Sequence, residues 1–371
     1  MRERAGGEGP AEGFTDVAAR VYADDPRWIP EAPSAVEAAF GPHNPWFSVG
    51  EAATLVVPGS GRLALFHQPK LRVDGRRVAF FGYWETVGDG ADEVMFRRAE
   101  EWARARGAQD LYGPIDFTTY GNYRVRLSVE DDDARTFPDE PHNPSTYPDL
   151  LTTQGFAVDQ TYFTQVGTQT AGNMVADWKR PALARLEGDG WTVTTLTHDL
   201  WMERLRELHG LADAIFGGNF AYSPLTWATF EAKCGEAFIR RACPHTSTIA
   251  LAPDGGIGGF FLVYPHYGPV VCAGATDRVA VSELDYHRHA ARAAEGWRGA
   301  IAKTVGVAPQ HRRKGVMDAL TVGIFDRGDG RYDHWYGALI RKDNPSASFA
   351  TGNTVGARWY GLYRKRLDQP T

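Results

Sequence analysis

A basic run around one glycine has the composition of an anion-binding turn. Arg312, Arg313 and Lys314 supply positive charge, and Gly315 lets the backbone approach a ligand closely. A β-branched stretch precedes the run and an apolar periodic stretch follows it, which predicts a strand, a turn and a helix. Such a helix start presents free N–H groups and the positive end of its dipole, which favour a phosphate. The predicted anion site comprises Arg312, Arg313, Lys314, Gly315, Val316 and Met317.

The stretch from Thr304 to Leu320 resembles the pyrophosphate-binding motif of GNAT (Gcn5-related N-acetyltransferase) enzymes, where a strand runs into Q/R-x-x-G-x-G/A and a helix. Asn344 follows the next predicted strand at the family's spacing. The resemblance implies acyl-CoA, most simply acetyl-CoA, as co-substrate, with Asn344 beside the pantetheine arm and no metal. In this motif Arg313 replaces a usual Gly and Met317 a usual small residue, so the pocket is expected to be narrowed.

The implied reaction has three chemical requirements. Transfer of an acyl group from a thioester needs a neutral amine, a donor for the carbonyl oxygen and a proton for the departing thiolate. In the family, N–H groups of a splayed strand supply the donor, which places Val305 and Val307 beside the bound acyl-CoA. A carboxylate beside that strand and a Tyr on a late helix often supply the base and the acid. Here the strand offers only Lys303 and Thr304, and the Tyr position falls near Thr351.

Four other side chains are candidates for the catalytic roles. Asp277 and Glu283 lie in the loop before the strand, and His287 nearby is a candidate base because histidine commonly serves in that role. Tyr360, in the last strand, is a candidate acid. Each has a structural alternative, which is a solvated surface group for the first three and strand packing for Tyr360.

The segment Asn219 to Tyr222 is the candidate acceptor site. The resemblance places it in the loop between the first two helices of a GNAT domain, which faces the thioester. Its polar and aromatic side chains, Asn219, Phe220 and Tyr222, suit the orientation of a small amine at the junction of the two halves. Core packing of the two rings is the alternative.

The length and the order of elements predict two tandem units that position these residues. A chain of 371 residues is long for one core. A meander of short strands, a crossover helix and further strands occurs twice, which indicates a tandem duplication of one α/β unit. The resemblance then implies two tandem GNAT-like domains, each a mixed, mostly antiparallel sheet flanked by helices. The expected division is a disordered tail at 1–13, an N-terminal domain at 14–180 and a C-terminal domain at 188–371, joined near 178–190. One large domain with insertions is the alternative.

The first half has an acidic segment where the pyrophosphate turn would lie. Asp89, Asp92 and Glu93 would repel a phosphate, so this half is expected to be degenerate and to bind no CoA.

Composition narrows the class of protein. The net charge of −6 argues against a protein that coats nucleic acid or an anionic membrane. The first residues lack the apolar core of a secretory signal, which favours a cytoplasmic location. Three cysteines without CxxC spacing fit neither a disulfide framework nor a zinc site.

The sequence therefore predicts an N-acyltransferase that transfers an acyl group from acyl-CoA to an amine of a small molecule, without a membrane partner. Two alternatives stay open. One is an aminoacyl-tRNA-dependent transferase like the Fem-type ligases, which also have tandem GNAT-like domains, and only this alternative has tRNA as a partner. The other is a GNAT-derived module that binds CoA or a metabolite without turnover.

Overall fold

The computed structural model of the chain describes residues 1–129, 135–344, 347 and 354–367. The strands in this part are β1 Arg2–Ala5, β2 Glu51–Val57, β3 Gly61–Val73, β4 Arg76–Thr86, β5 Asp110–Gly113, β6 Val125–Val129, β7 Ala157–Thr168, β8 Thr192–Thr195, β9 Thr248–Leu251, β10 Ile257–Pro265, β11 Gly299–Val307, β12 His334–Arg341 and β13 Gly356–Arg366. The α-helices are α1 Asp16–Val21, α2 Pro33–Phe40, α3 Ala91–Ala105, α4 Tyr147–Thr153, α5 Gln169–Gly188, α6 His198–Glu203, α7 Leu205–Phe216, α8 Trp227–Cys234, α9 Glu236–Ile239, α10 Gly268–Val271, α11 Tyr286–Ala293 and α12 Val316–Gly328.

The described strands form one continuous mixed sheet. Its order is β1-β2-β3-β4-β5-β13-β7-β12-β11-β10-β9-β8, and β6 pairs with β13 beside this path. The pairs are antiparallel except for β4 with β5 and β11 with β12. The α/β class with a mixed, mostly antiparallel sheet and flanking helices is therefore confirmed.

The same arrangement occurs in both halves of the chain. In the first half, through β7, α3 connects the parallel pair β4 and β5. In the second half, from α5 onward, α12 connects the parallel pair β11 and β12. Both helices begin at a left-handed glycine, Gly90 with φ 89° and Gly315 with φ 85°. Both preceding strands contain a bulge of two residues against one, Tyr83-Trp84 in β4 and Lys303-Thr304 in β11.

The halves exchange their last strands. Strand β13, which ends the second half, pairs with β5 of the first half, and β7 of the first half pairs with β12 of the second. The two exchanged strands also pair with each other along most of their length. A boundary between 180 and 188 therefore divides the sequence but not the sheet, because each half receives a strand from the other.

The expected break near 178–190 is instead a helix. Helix α5 continues from Gln169 to Gly188 through Pro181. It packs along α12, where Lys179 pairs with Asp318 and Arg180 with Asp326. These contacts offset the hydrogen bond that a proline removes from a helix interior, which local sequence does not reveal.

The beginning of the chain also differs from expectation, since part of 1–13 is ordered. Arg2–Ala5 extends the sheet as β1 against β2, and the N–H of Ala11 donates to Oγ1 of Thr54 at 2.9 Å. The free edge of β2 accepts this polar segment through backbone bonds, which composition does not report. The late helix that would contain the Tyr position falls largely outside the described residues, and Thr351 lies outside them.

Candidate active site

The turn before α12 has the geometry of an anion site. Gly315 is the N-cap in a left-handed conformation, and no side chain in the described ranges caps this helix start. Arg313 also has a positive φ, 61°, the conformation that glycine adopts without strain. Arg313 and Lys314 are exposed beside the first-turn N–H groups. A phosphate placed there meets backbone donors, the helix dipole and two cations.

Two arginines hold this turn in place. Nη2 of Arg312 donates to the carbonyl oxygens of Ala214 and Ile215 at 3.3 and 3.2 Å, near the end of α7. Nη2 of Arg185 on α5 donates to the carbonyl of Lys314 at 2.8 Å. Arg312 therefore anchors the turn to α7, where a cation at a helix C-terminus is favourable.

A gap opens between β11 and β12 next to the turn. Parallel pairing ends at Ala302 and Gly337, and the bulge at Lys303-Thr304 follows in β11. Thr304 has φ 68°, a strained value for a β-branched residue. Backbone beyond this point no longer pairs with β12, so the gap has room for a ligand next to the main chain.

A cavity of about 270 Å³, here called cavity A, lies at this gap. Both halves of the chain contribute to its lining. The second half contributes Phe216, Asn219, Phe220, Tyr222, Phe261, Lys303, Thr304, Val305, Met317, Leu339, Ile340, Arg341 and Asn344. The first half contributes Thr119, Tyr120, Tyr123 and Tyr162. The candidate acceptor residues thus lie in one cavity with Val305, Met317 and Asn344, whereas Val316 is buried in the core and Val307 packs against it.

Tyr222 forms one hydrogen bond to a residue of each half. It is half-buried, and its hydroxyl donates to Oδ1 of Asp213 at 2.5 Å and accepts from the hydroxyl of Tyr120 at 3.3 Å. Burial, with the Asp213 contact, raises the pKa of Tyr222. Phe220 packs on Tyr112, with 5.2 Å between ring centroids. The sequence does not reveal the tyrosines of the first half, because they reach the cavity across about a hundred residues.

The four candidate catalytic side chains are not brought to cavity A. Asp277, Glu283 and His287 are exposed; Glu283 accepts from the N–H of Ala280 at 3.4 Å, and the ring of His287 lies 5.6 Å from that of His198. Tyr360 is fully buried in the sheet. Its hydroxyl donates a hydrogen bond to Oε1 of Glu140 at 2.6 Å.

Lys303 is the ionisable side chain of the β11 bulge. Its Nζ donates to Oδ2 of Asp139, from the first half, at 3.1 Å. Burial alone would raise the pKa of Asp139, but Lys303 and Arg241 overcome that effect and hold it at about 2. The ion pair therefore fixes one wall of cavity A across the two halves.

In the first half, carboxylates accept hydrogen bonds from the N–H groups that correspond to those at the start of α12 and in the β11 bulge. Oδ1 of Asp89 accepts from the N–H of Ala91 at 3.3 Å at the start of α3, and hydrogen bonds from Ser60 and Ala91 lower the pKa of Asp89. Oδ1 of Asp116 accepts from the N–H of Tyr83, in the bulge, at 2.8 Å. Among the residues described for the second half, no side chain fills either equivalent position.

Comparisons with known proteins relate the fold to GNAT proteins. No family model matches the chain. Bacterial ceramide synthase from Caulobacter vibrioides is 26% identical over 226 residues, covering 58% of this chain and 57% of the relative, so the match spans little more than half of its length.

Solved structures give likenesses over nearly the whole chain. A tandem GNAT protein from the clavulanic acid biosynthesis pathway has a TM-score of 0.53 at 13% identity and covers all of both chains. A probable N-acyltransferase from Enterococcus faecalis has a TM-score of 0.52 at 11% identity, covering 99% of this chain and 73% of that one. The GCN5-related glucosamine N-acetyltransferase region of a fungal multi-domain beta-N-acetylglucosaminidase has 0.52 at 12%, covering 98% and 38%. At these identities the likeness concerns the fold.

The described helices and side chains give two further findings. None of these helices has the length and apolar character needed to cross a bilayer. Within the same residues, no three His, Cys, Asp or Glu side chains group as metal ligands would.

Proposed function

Since the chain has the tandem GNAT fold, we propose that it is an N-acyltransferase that moves an acyl group from acyl-CoA to an amine of a small molecule. The observation that carries this proposal is the contrast between the two halves. Asp89 and Asp116 occupy the helix-start and bulge donors of the first half, whereas no described side chain does so in the second. The second half alone then presents donors for the phosphates and for the thioester.

Each part of the second half has a role in this proposal. The turn from Arg312 to Met317 holds the pyrophosphate, and Asn344 lies along the pantetheine arm. N–H groups after the β11 bulge donate to the thioester oxygen as negative charge develops. The amine nitrogen attacks the carbonyl carbon, the C–S bond breaks, and the CoA sulfur takes a proton while the amide forms.

Cavity A is the proposed acceptor site, with Asn219, Phe220 and Tyr222 on its wall. Its lining is mostly aromatic and aliphatic with a few polar groups, a composition that suits a small organic amine. No side-chain base is assigned, since a well-oriented amine can lose its proton to water.

The length of the acyl chain is the open variable. Acetyl is the simplest group, while the relative named a ceramide synthase favours a longer acyl chain. Phe216, Phe261 and Leu339 give cavity A an apolar wall for such a chain.

The deciding experiment combines binding with turnover. We expect acetyl-CoA or a longer acyl-CoA to raise the melting temperature, and an amine panel to release free CoA thiol while an amide appears by mass spectrometry. Binding without thiol release from any amine would indicate the non-catalytic module. Amide formation only with charged tRNA would indicate the aminoacyl-transferase.

A further inference from the structure

The first half contains a larger cavity at the place that corresponds to cavity A. This cavity B has a volume of about 390 Å³ and lies where β4 and β5 separate. Sheet order puts β13, β7 and further strands between the two gaps, a distance of about 19 Å at ordinary strand spacing. Cavity B is therefore centred on a different gap from cavity A, and Tyr123 lines both cavities. Its lining includes the aromatic residues Tyr22, Trp28, Tyr83, Trp84 and Tyr147 and the carboxylates of Glu31, Glu85, Asp116, Asp139 and Glu140.

Three of these carboxylates have a cationic partner. Glu31 pairs with Arg62, which is 2% exposed. Asp139 pairs with Lys303, and Glu140 pairs with Arg126 and Arg358.

Glu85 and Asp116 have no ion-pair partner among the described residues. Glu85 accepts from the hydroxyls of Tyr22 and Tyr147 at 3.3 and 2.8 Å. Asp116 accepts from the N–H of Tyr83 at 2.8 Å. The lining thus holds two carboxylates that have neutral donors but no cation of their own.

Other charged groups around the cavity are engaged elsewhere. The guanidinium of Arg124 stacks on the rings of Tyr123 and Tyr162, at 3.4 and 4.0 Å. Nε2 of His142 forms a hydrogen bond with Oδ2 of Asp25 at 2.8 Å. Burial raises the pKa of both Glu85 and Asp116 to about 7, although Arg62 opposes this rise.

Three buried polar atoms in the same lining also have no partner in the described ranges. They are Nε of Arg62, Nε of Arg124 and Nε1 of Trp84, whose residues are 2%, 8% and 5% exposed. Natural proteins seldom leave such atoms unsatisfied unless a ligand, an ion or a water completes them. All three are N–H donors, so a water or an acceptor atom of a guest would complete them, whereas an ammonium group would not.

We propose that cavity B binds a small organic ammonium ion, with Glu85 and Asp116 as its carboxylate partners and the aromatic side chains as its walls. An ammonium group donates charge-assisted hydrogen bonds to carboxylates and is attracted to aromatic faces. This site goes beyond the proposed acyl transfer, because it lies in the half whose acyl-CoA donors are occupied.

Titration with n-butylammonium chloride at low ionic strength, followed by calorimetry, tests the site. This amine stays charged at pH 6 and at pH 8, like a lysine side chain. Glu85 and Asp116 gain negative charge over that range, so we expect tighter binding at pH 8. 1-Butanol, an uncharged molecule of equal heavy-atom count, should show no measurable binding. Equal affinity at the two pH values, or equal binding of 1-butanol, would overturn the proposal.

Substitutions locate the binding. Glu85→Gln and Asp116→Asn should each weaken n-butylammonium binding about tenfold or more, the scale of one hydrogen bond to a charged group. Glu295→Gln, which removes an exposed carboxylate, should bind like the wild type. Unchanged affinity in both cavity variants, with melting temperatures showing that they fold, would place the amine elsewhere and refute the site.

Acyl-CoA binding separates this proposal from the proposed function. Glu85→Gln should keep wild-type acyl-CoA affinity. Arg313→Asp, in the turn before α12, should keep wild-type affinity for n-butylammonium. If a variant fails to fold, the pH comparison on the wild type still decides.

Discussion

Arg313 lies at the point where the two halves differ most in chemistry. Its left-handed backbone, φ 61°, suits Asp better than most side chains. We expect Arg313→Asp to weaken acyl-CoA binding about tenfold or more. The new carboxylate repels a phosphate at the start of α12. Calorimetry with acyl-CoA measures the effect.

The control for Arg313→Asp is Arg278→Asp, the same charge change at an exposed loop position. Wild-type affinity in Arg313→Asp would contradict the assigned turn. Gly315→Asp is a poorer probe, because a Cβ there would lie 2.7 Å from Nη2 of Arg185 in a backbone of φ 85°. A loss of binding in that variant would mix misfolding with lost affinity.

Tyr222 tests the acceptor pocket. Tyr222→Phe removes the hydroxyl that contacts Asp213 and Tyr120, so we expect a several-fold higher acceptor KM or lower kcat, with unchanged acyl-CoA affinity. Tyr222→Ala should have a stronger effect of the same kind, with nearly constant melting temperature because the ring is half-buried. Steady-state kinetics and thermal melts measure both.

The matched control is Tyr267→Phe, which removes a buried hydroxyl that does not line cavity A. It should lower stability slightly without changing the acceptor KM. A core ring costs about 3–5 kcal/mol when it is removed. A drop in melting temperature of that scale in Tyr222→Ala would exclude Tyr222 from the pocket wall.

Glu85 predicts an unusual dependence of stability on pH. Its pKa is raised in the folded protein to about 7, so the folded state holds this proton more tightly than the unfolded state. Stability is therefore greatest below the ordinary Glu pKa and falls as pH rises toward 7. Glu85→Gln has no carboxyl group to titrate at this position. Its melting temperature should therefore exceed that of the wild type increasingly from pH 5 to pH 8. Parallel curves of melting temperature against pH would contradict the raised pKa.

At the residue scale, the sequence predicted what is local. The turn from Arg312 to Met317 follows from adjacent residues and lies where the motif places it. Tyr120, Tyr123 and Tyr162 reach cavity A from another part of the chain, and no local pattern marks them. The roles of Asp277, Glu283 and His287 rested on closeness in sequence to β11, which the fold does not convert into closeness in space.

At the element scale, β13 is anchored by a buried ionic network. Arg358 and Glu140 are both inaccessible to solvent and pair at 3.0 Å, and Arg126 and Tyr360 also contact Glu140. Burial alone would raise the pKa of Glu140, but the two arginines overcome it and hold the pKa below its ordinary value. Removing the negative charge from this network would leave the buried arginine charges uncompensated.

Glu140→Gln should therefore destabilise the protein by about 3–5 kcal/mol at pH 7. The stabilisation from the ionised carboxylate is present above the ordinary Glu pKa and is lost as pH falls through the lowered folded value. The difference from wild type should thus shrink in acid, as seen by denaturant melts at pH 7 and pH 4. Glu295→Gln is the control, and a constant difference at both pH values would contradict the network.

Strands and helices with a clear period follow from the local sequence. The hairpin at Val73–Arg76, the helix α3 and the strand β12 are examples. Strand β7 does not follow from it, since Ala157–Thr168 mixes polar and apolar residues without alternation. The partner of β13 was also inaccessible, because register across the halves depends on contacts separated by more than 200 residues.

At the scale of the whole molecule, the exchange of β7 and β13 makes the halves interdependent. A fragment of residues 1–188 lacks β13, so β5 and β7 lose their shared neighbour. We expect this fragment alone to be poorly soluble or to melt without cooperativity. Co-expression with residues 189–371 should yield a stable complex, measured by co-purification and thermal melting. A fragment that folds alone with native-like melting would contradict this interdependence.

The exchanged strand also sets an order of events during synthesis. Gly356–Arg366 fills the gap between β5 and β7, so the ribosome must add nearly two hundred further residues after β7 before the first sheet can close. During that time β5 and β7 expose unpaired backbone groups, which invite pairing with other nascent chains. Translation rate and chaperone supply should therefore affect the yield of this protein more strongly than that of a chain whose domains close in sequence.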